Sequence, residues 1–265
     1  MSTPIEFLQV IQNTATPQFK YFESIGSTNQ IALEWMESGA PDLAIVFSDH
    51  QSAGRGRLNR SWVTEPGSAI ALSIIIKPTA NELQNLALFS PLAGIALVDC
   101  LKKNFSINAQ IKWPNDVLID RQKTCGILTE SVWRGNKLLG LVVGIGINVT
   151  PASVPPREEV FFPATCLQNH CIEKIDRYDL LEKFIQSFKF WRDQLPLPAF
   201  MDYWQESLAF LGETVYINQN DESGQINGVL TGITSSGDLQ LRTENNQLKS
   251  IFVGDVHLRP AEDKR

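Results

Sequence analysis

Four cysteines and three histidines are spread over 265 residues. Cys100, Cys125, Cys166 and Cys171 form no Cys-x-x-Cys pair, and His50, His170 and His257 stand apart from them. Neither a zinc site nor a disulfide framework is signalled, and most of these cysteines read as small buried residues. No run approaches the roughly 18 apolar residues that span a bilayer, and the first twenty residues lack a basic segment followed by an apolar core. A soluble, cytoplasmic protein with no membrane partner is therefore expected. In that setting the glycosylation-like triplets at Asn59, Asn104 and Asn148 are chance matches. Internal repeats and low-complexity tracts are missing too. A net charge of -6 argues against a broad phosphate-binding face.

What is present is 43% hydrophobic content, enough for a substantial core in one large domain or two smaller ones. The most telling stretch runs from Gln51 to Trp62, Gln-Ser-Ala-Gly-Arg-Gly-Arg-Leu-Asn-Arg-Ser-Trp. Gly54 and Gly56 let the main chain approach a ligand, while Arg55, Arg57 and Arg60 supply planar, permanently charged forks suited to carboxylate and phosphate. Taken alone, the same stretch reads equally as a solvated basic loop. As an anion clamp, residues 51–61 should be mobile when empty and ordered by ligand.

Three further segments fit the same chemistry. Gly26-Ser27-Thr28-Asn29 precedes the helical pattern Ile31, Leu33, Trp35, Met36, so Ser27 or Thr28 can cap a helix whose free amides face a polar ligand. Lys112-Trp113-Pro114-Asn115-Asp116-Val117 ends one strand-like run and Lys123-Thr124-Cys125-Gly126-Ile127-Leu128-Thr129-Glu130 starts the next, so a single hairpin carries lysines and a carboxylate. Gly144 and Gly146, in the strand pattern Val142–Val149, mark a place where a backbone or a ligand comes close.

Strand-like runs at 19–24, 43–48, 69–76, 109–112, 117–120, 126–132 and 138–148 alternate with helices near 28–37 and 92–103, the latter opened by Ser90 as cap and Pro91 in its first turn. Short hairpin connections favour an α+β fold with a mixed, largely antiparallel sheet flanked by helices. Pro151, Pro155, Pro156 and Pro163 interrupt the chain. After them Leu180, Leu181, Phe184, Ile185, Phe188 and Trp191 mark an amphipathic helix, and a second helix runs from Phe200 to Leu211. Short strands at 214–217, 226–233, 239–242 and 250–253 suggest a small barrel. The expected division is 1–211 and 212–265.

From about Phe19 to Pro260 the ordered set Ser-Thr-Asn, Gly-Arg-Gly-Arg, Lys-Trp-Pro-Asn-Asp, Lys-x-x-Gly-Ile-Leu and Gly-x-Gly-x-Asn resembles the biotin protein ligases. The resemblance implies their catalytic fold with an SH3-like C-terminal domain, and acyl transfer in two steps through biotinyl-5′-AMP. ATP, Mg2+ and biotin are the implied small molecules. The implied acceptor is a lysine at a hairpin tip of the biotin carboxyl carrier protein of acetyl-CoA carboxylase, and a side-by-side homodimer is an option. By similarity, Lys123 reaches the carboxylate–phosphate junction, and Arg55 and Arg57 close over the adenylate. Ser27, Thr28, Asn29 and Gln51 bond the biotin head group, while Trp62, Asn115 and Asn148 frame the adenine. Lys112, Gly54, Gly56, Gly126, Gly144 and Gly146 complete the implied binding set. Trp62 reads equally as core, and Asn148 as a strand terminator. Asp116 has three open roles: magnesium ligand, orienter of Lys123, or proton acceptor. Ser52, Leu58 and Asn59 fall where the family varies or prefers other residues. Bifunctional members carry an N-terminal helix-turn-helix, for which the roughly twenty residues before the first strand leave no room, so no DNA partner is expected. A lipoate–protein ligase shares the adenylate logic but lacks the Gly-Arg-Gly-Arg and Lys-Trp-Pro-Asn-Asp signatures. The alternative outside enzymology is a nucleic-acid-binding module using Arg55, Arg57, Arg60 and Trp62.

Overall fold

Alternating Ile, Val and Gly runs build a seven-stranded sheet around which the rest of the chain packs. The computed structural model describes residues 3–160, 162–195, 197–219, 225–252 and 256–260. In chain order the first part contains α1 (Ile5–Asn13), β1 (Phe19–Phe22), α2 (Thr28–Glu37), β2 (Ile45–Ser48), β3 (Gly54–Arg55), β4 (Ser61–Trp62) and β5 (Ala69–Ile76). Then follow α3 (Phe89–Phe105), β6 (Gln110–Lys112), β7 (Asp116–Ile119), β8 (Gln122–Arg134) and β9 (Lys137–Asn148). The sheet order is β1-β2-β5-β9-β8-β7-β6; β1 and β2 run parallel and the other pairings are antiparallel. Every residue of β5 is buried, because both faces of this central strand are covered. On one face α1, α3 and α4 (Arg177–Asp193) enclose the main core. On the other, α2 covers a smaller cluster through Ala32 and Met36, and the remaining open area of that face is where the cavity described below lies.

Several local expectations are corrected. The segment before β1, to which the sequence reading assigned no element, forms α1 and buries Phe7, whose ring stacks on Phe47 with centroids 5.1 Å apart. Ser90 does not cap α3, since the helix starts at Phe89 as a continuation of the 3-10 segment Leu83–Leu88 and needs no side-chain cap. That continuity also produces an apolar helical run the sequence reading missed. By length and composition Leu83–Phe105 could cross a membrane (23 residues, mean hydropathy 1.4), yet 67% of the apolar stretch is buried inside this protein, as befits a core helix. The cap of α4 is Asp176, which accepts from the backbone N–H of Tyr178 (2.8 Å) and Asp179 (2.9 Å).

The helix expected to end at Leu211 is α5 (Pro198–Glu206), and it stops early for a reason. Beyond it, the Ser207 carbonyl accepts from Ile111 N–H (2.7 Å) and Ala209 N–H donates to the Ile111 carbonyl (2.9 Å), so the chain leaves the helix to pair with β6. The last part is a five-stranded antiparallel sheet, β10 (Thr214–Gln219), β11 (Gln225–Ile233), β12 (Leu239–Arg242), β13 (Leu248–Ile251) and β14 (Val256–Pro260), in the order β13-β12-β11-β10-β14. No pairing closes it into a barrel among the described residues. The strand expected at 250–253 lies at 248–251, with Val253 outside the described residues, and β14 was not anticipated. This sheet shares the main core through Val215, Leu230, Leu239 and Leu241. Trp113 Nε1 donates to the Gly237 carbonyl (3.0 Å), tying it to the β6–β7 turn.

Candidate active site

A cavity of about 430 Å3 opens over β5, β9 and β8, beside the start of α2 and under the arginine loop. It gathers the residues singled out from sequence with one exception, Gly54.

The floor is made by missing side chains. Gly126 and Gly146 face each other across the β8–β9 ladder, and Gly144 pairs with Leu128. A Cβ on Gly146 would stand 2.7 Å from Trp62 Cζ2, and one on Gly144 would stand 2.7 Å from Asn29 Cγ. The glycines therefore admit two side chains of this protein, an indole and an amide, where the sequence pattern had left the approaching group open. The Trp62 Nε1 is buried and has no hydrogen-bond partner among the described residues.

Asn29 and Thr28 form the polar end. Ser27 occupies the N-cap position of α2 but makes no side-chain cap bond. Gln51 does the capping from across the chain: its Oε1 accepts from Thr28 N–H (2.7 Å) and Thr28 Oγ1 (3.0 Å). The Thr28 amide expected to face a ligand is thus occupied. Ser73, overlooked in the sequence, lies between Thr28 Oγ1 (2.9 Å) and Asn29 Oδ1 (2.6 Å). Its signal was available, as the one hydroxyl in the otherwise apolar run Ala69–Ile76.

The arginine loop folds as a small ribbon. Gly54 pairs with Trp62 and Arg55 with Ser61, and Gly56 N–H donates to the Arg60 carbonyl (2.7 Å) across a 3-10 turn at Arg57–Asn59. Gly54 belongs to this closure and not to the cavity wall, since a Cβ there would collide with the Trp62 carbonyl. Side-chain contacts tie the loop down. Arg55 Nη2 lies 3.3 Å from Glu130 Oε2, and Arg57 Nη1 donates to Asn115 Oδ1 (3.3 Å).

The β6–β7 turn concentrates charge. Lys112 and Asp116 are ladder partners, and the turn between them contains the cis bond Trp113–Pro114. Asp116 accepts from Lys123 Nζ through Oδ1 (2.6 Å) and from Lys112 Nζ through Oδ2 (3.2 Å). Burial pushes the Asp116 carboxyl up, but the two ammonium groups, Lys123 first, outweigh it and hold the group well below the usual carboxylate range. Of its three open roles, the geometry displays the hold on Lys123. Cys125, beside the site in sequence, is fully buried, and burial pushes its thiol up, so it is a packing residue.

Asn115 and Asn148 are engaged with backbone. Asn115 Nδ2 donates to the Ile127 carbonyl (2.8 Å) and Asn148 Nδ2 to the Thr165 carbonyl (3.0 Å). The second bond anchors a wall that sequence reasoning missed, in which Pro155, Glu159, Val160, Phe162 and Ala164 line the cavity. No periodicity marks this proline-broken segment.

Residues 21–148 match the biotin/lipoate A/B protein ligase family, and residues 210–259 match the biotin protein ligase C-terminal domain. The "Bifunctional ligase/repressor BirA" of Bacillus subtilis is 34% identical over 241 residues, covering 90% of this chain and 73% of that protein. The "Biotin--[acetyl-CoA-carboxylase] ligase" of Paracoccus denitrificans is 33% identical over 222 residues, covering 82% of this chain and 90% of that protein. Among solved structures, the biotin protein ligase from Aquifex aeolicus in complex with biotin and ATP superposes with a TM-score of 0.79 at 27% identity, covering 92% of this chain and 100% of that one.

Proposed function

This chain belongs to the biotin protein ligase family, and from that premise we propose how its residues activate biotin with ATP and pass it to a protein lysine. In the first step a biotin carboxylate oxygen attacks the α-phosphorus of ATP, the bond to the bridging oxygen breaks, and pyrophosphate leaves. In the second, a lysine amine attacks the carbonyl of the mixed anhydride, AMP leaves, and the amine gives up a proton as the amide forms. The single observation that carries the reading is the cavity's division into two ends. Thr28, Asn29 and Gln51 form a polar end of hydroxyls and amides with Arg55 alongside, and Arg57, Lys112 and Lys123 gather around Asn115 and Asp116 at a cationic one. A ureido ring, with donors and an acceptor, suits the first. Like-charged carboxylate and phosphate, brought together, need the second.

Lys123 supplies charge at the junction, and Asp116 acts as the group that aims it. A carboxylate stabilised by two ammonium groups is a weak proton acceptor, which disfavours its role as base for the incoming lysine. Arg57 clamps the finished adenylate, and Trp62 offers a face to the adenine. Among the described residues no three His, Cys, Asp or Glu side chains converge, and both oxygens of Asp116 are engaged. The described residues thus hold no cluster of three such side chains for magnesium, and no step is assigned to the metal. The acceptor we infer is the biotin carboxyl carrier protein of acetyl-CoA carboxylase, on the strength of what similar proteins are called. A side-by-side homodimer belongs to the same proposal, with sedimentation as its check.

The experiment is AMP and pyrophosphate release from ATP with biotin, with lipoate or with neither. Release with biotin alone is expected. Release with lipoate alone would favour the lipoate ligase reading. No release at all, with retention of single-stranded nucleic acid, would favour the binding module.

A further inference from the structure

Glu130 has no place in the roles above, yet two of the groups they depend on converge on its carboxylate. It follows Leu128 on the same face of β8, just beyond the cavity wall. Asn29 Nδ2 donates to Glu130 Oε2 (2.7 Å) and to the Leu128 carbonyl (3.2 Å), while Asn29 Oδ1 accepts from Ser73 Oγ (2.6 Å). An ionised carboxylate can only accept. Glu130 and the Leu128 carbonyl together dictate which end of the Asn29 amide faces β8 and which is turned to Ser73. Asn29 is buried at 4% exposure, so this orientation is fixed.

Arg55 is held differently. Its Nη2 lies 3.3 Å from Oε2 and 3.4 Å from Oε1, with side-chain exposures of 44% for Arg55 and 27% for Glu130. Long, solvated ion pairs of this kind add little net free energy and weaken with salt. Arg55 is docked but not locked, and an anion arriving in the cavity can take the guanidinium at small cost.

We propose that Glu130 is a positioning residue of this site: one carboxylate holds Asn29 rigidly at the polar end and docks Arg55 loosely beside the cavity. The loop then closes on an anionic ligand by exchanging Glu130 for it. This rests on the ligase reading for the identity of the ligand. Arg55 moves between two anions; Asn29 does not move.

Two variants separate the two holds. Glu130→Gln keeps an acceptor oxygen for Asn29 and removes the charge facing Arg55, whereas Glu130→Ala removes both. Limited trypsin digestion of the full chain without ligand should cut after Arg55 at least threefold faster in both variants, and raising salt should bring the wild-type rate toward theirs. In the pyrophosphate assay the KM for biotin should rise less than threefold in Glu130→Gln and at least tenfold in Glu130→Ala. If Glu130→Ala does not fold, Asn29→Asp takes its place: adding Glu130→Gln to it should recover at least threefold of the lost KM, because a carboxylate pair is relieved. A wild-type cutting rate in Glu130→Gln overturns the docking of Arg55. Equal KM values in the Gln and Ala variants, or no recovery in the double variant, overturn the hold on Asn29. Wild-type protein without biotin-dependent pyrophosphate release sinks the ligase reading instead, and the trypsin comparison still decides the Arg55 half.

Discussion

Gly146→Ala should damage the site while sparing the sheet. The new Cβ would stand 2.7 Å from Trp62 Cζ2 and 2.8 Å from Nε1. Non-bonded heavy atoms rest at about 3.5–4.0 Å, so the indole must retreat by roughly 1 Å. It hangs from the two-residue strand β4 in the arginine ribbon, whose other strand carries the exposed Arg55 and which can lift without moving β9. Overpacking a closed core costs about 1–3 kcal/mol. Here most of that strain leaves through the ribbon, and Tm should fall by less than about 2 °C, at roughly 2–4 °C per kcal/mol for a chain of this size. The cost reappears when a nucleotide presses the ring back toward the floor, as a KM for ATP about 5- to 150-fold higher for the same 1–3 kcal/mol. Gly144→Ala is the internal comparison. Its Cβ would meet Asn29 Cγ at 2.7 Å, and that amide cannot retreat because Ser73, Leu128 and Glu130 hold it. There the strain stays in the fold, with a Tm loss of roughly 3–9 °C. Thermal scanning and steady-state pyrophosphate release on both variants decide the matter. Equal Tm losses, or a wild-type KM for ATP in Gly146→Ala, would refute the assignment of Trp62 to the cavity floor.

Lys123→Ala and Lys123→Gln should each slow biotin-dependent pyrophosphate release by about two or more orders of magnitude, the scale for losing a preorganised charge, and near-wild-type rates in both would remove Lys123 from the reaction. Arg57→Gly should weaken retention of the adenylate more than its formation, so that mass spectrometry finds biotin on bystander lysines; modification confined to the carrier, with no rise in free adenylate, would discard the clamp. Because Lys123 and Lys112 hold the Asp116 carboxyl below its unfolded value, the pair contributes stability that is complete above the ordinary carboxylate pKa of about 4 and is lost as pH falls through the lower folded value. The Tm gap between wild type and Asp116→Asn should therefore be widest at pH 5 and above and shrink on acidification; a gap that grows toward low pH would contradict that sign.

Much of this candidate site is legible in the sequence, and particular residues explain how far. The Gly-Arg-Gly-Arg stretch, the Lys-Trp-Pro-Asn-Asp turn and the paired glycines of β9 are chemistry carried by residue type and short spacing, which a linear string preserves. Strand β5 and helix α4 were equally visible, since apolar periodicity records which face is buried. The end of α5 was not, because Ser207 to Ala209 abandon the helix for a partner strand nearly a hundred residues earlier.

By itself, the sequence determined the inventory: which residues could bear charge, donate bonds or let a backbone come close, and in what order along the chain. Only the tertiary structure decided who meets whom. Gln51 caps a helix starting at Thr28, Ser73 reaches Thr28 and Asn29, and Glu130 joins Asn29 to Arg55. The first contact follows from the bridge that sets Ile25 beside Gln51, and the others depend on the register of β5, β8 and β9, which a two-residue side-chain period leaves open until the strands pair. Once paired, the missing Cβ atoms of Gly144 and Gly146 set where an amide and an indole can lie.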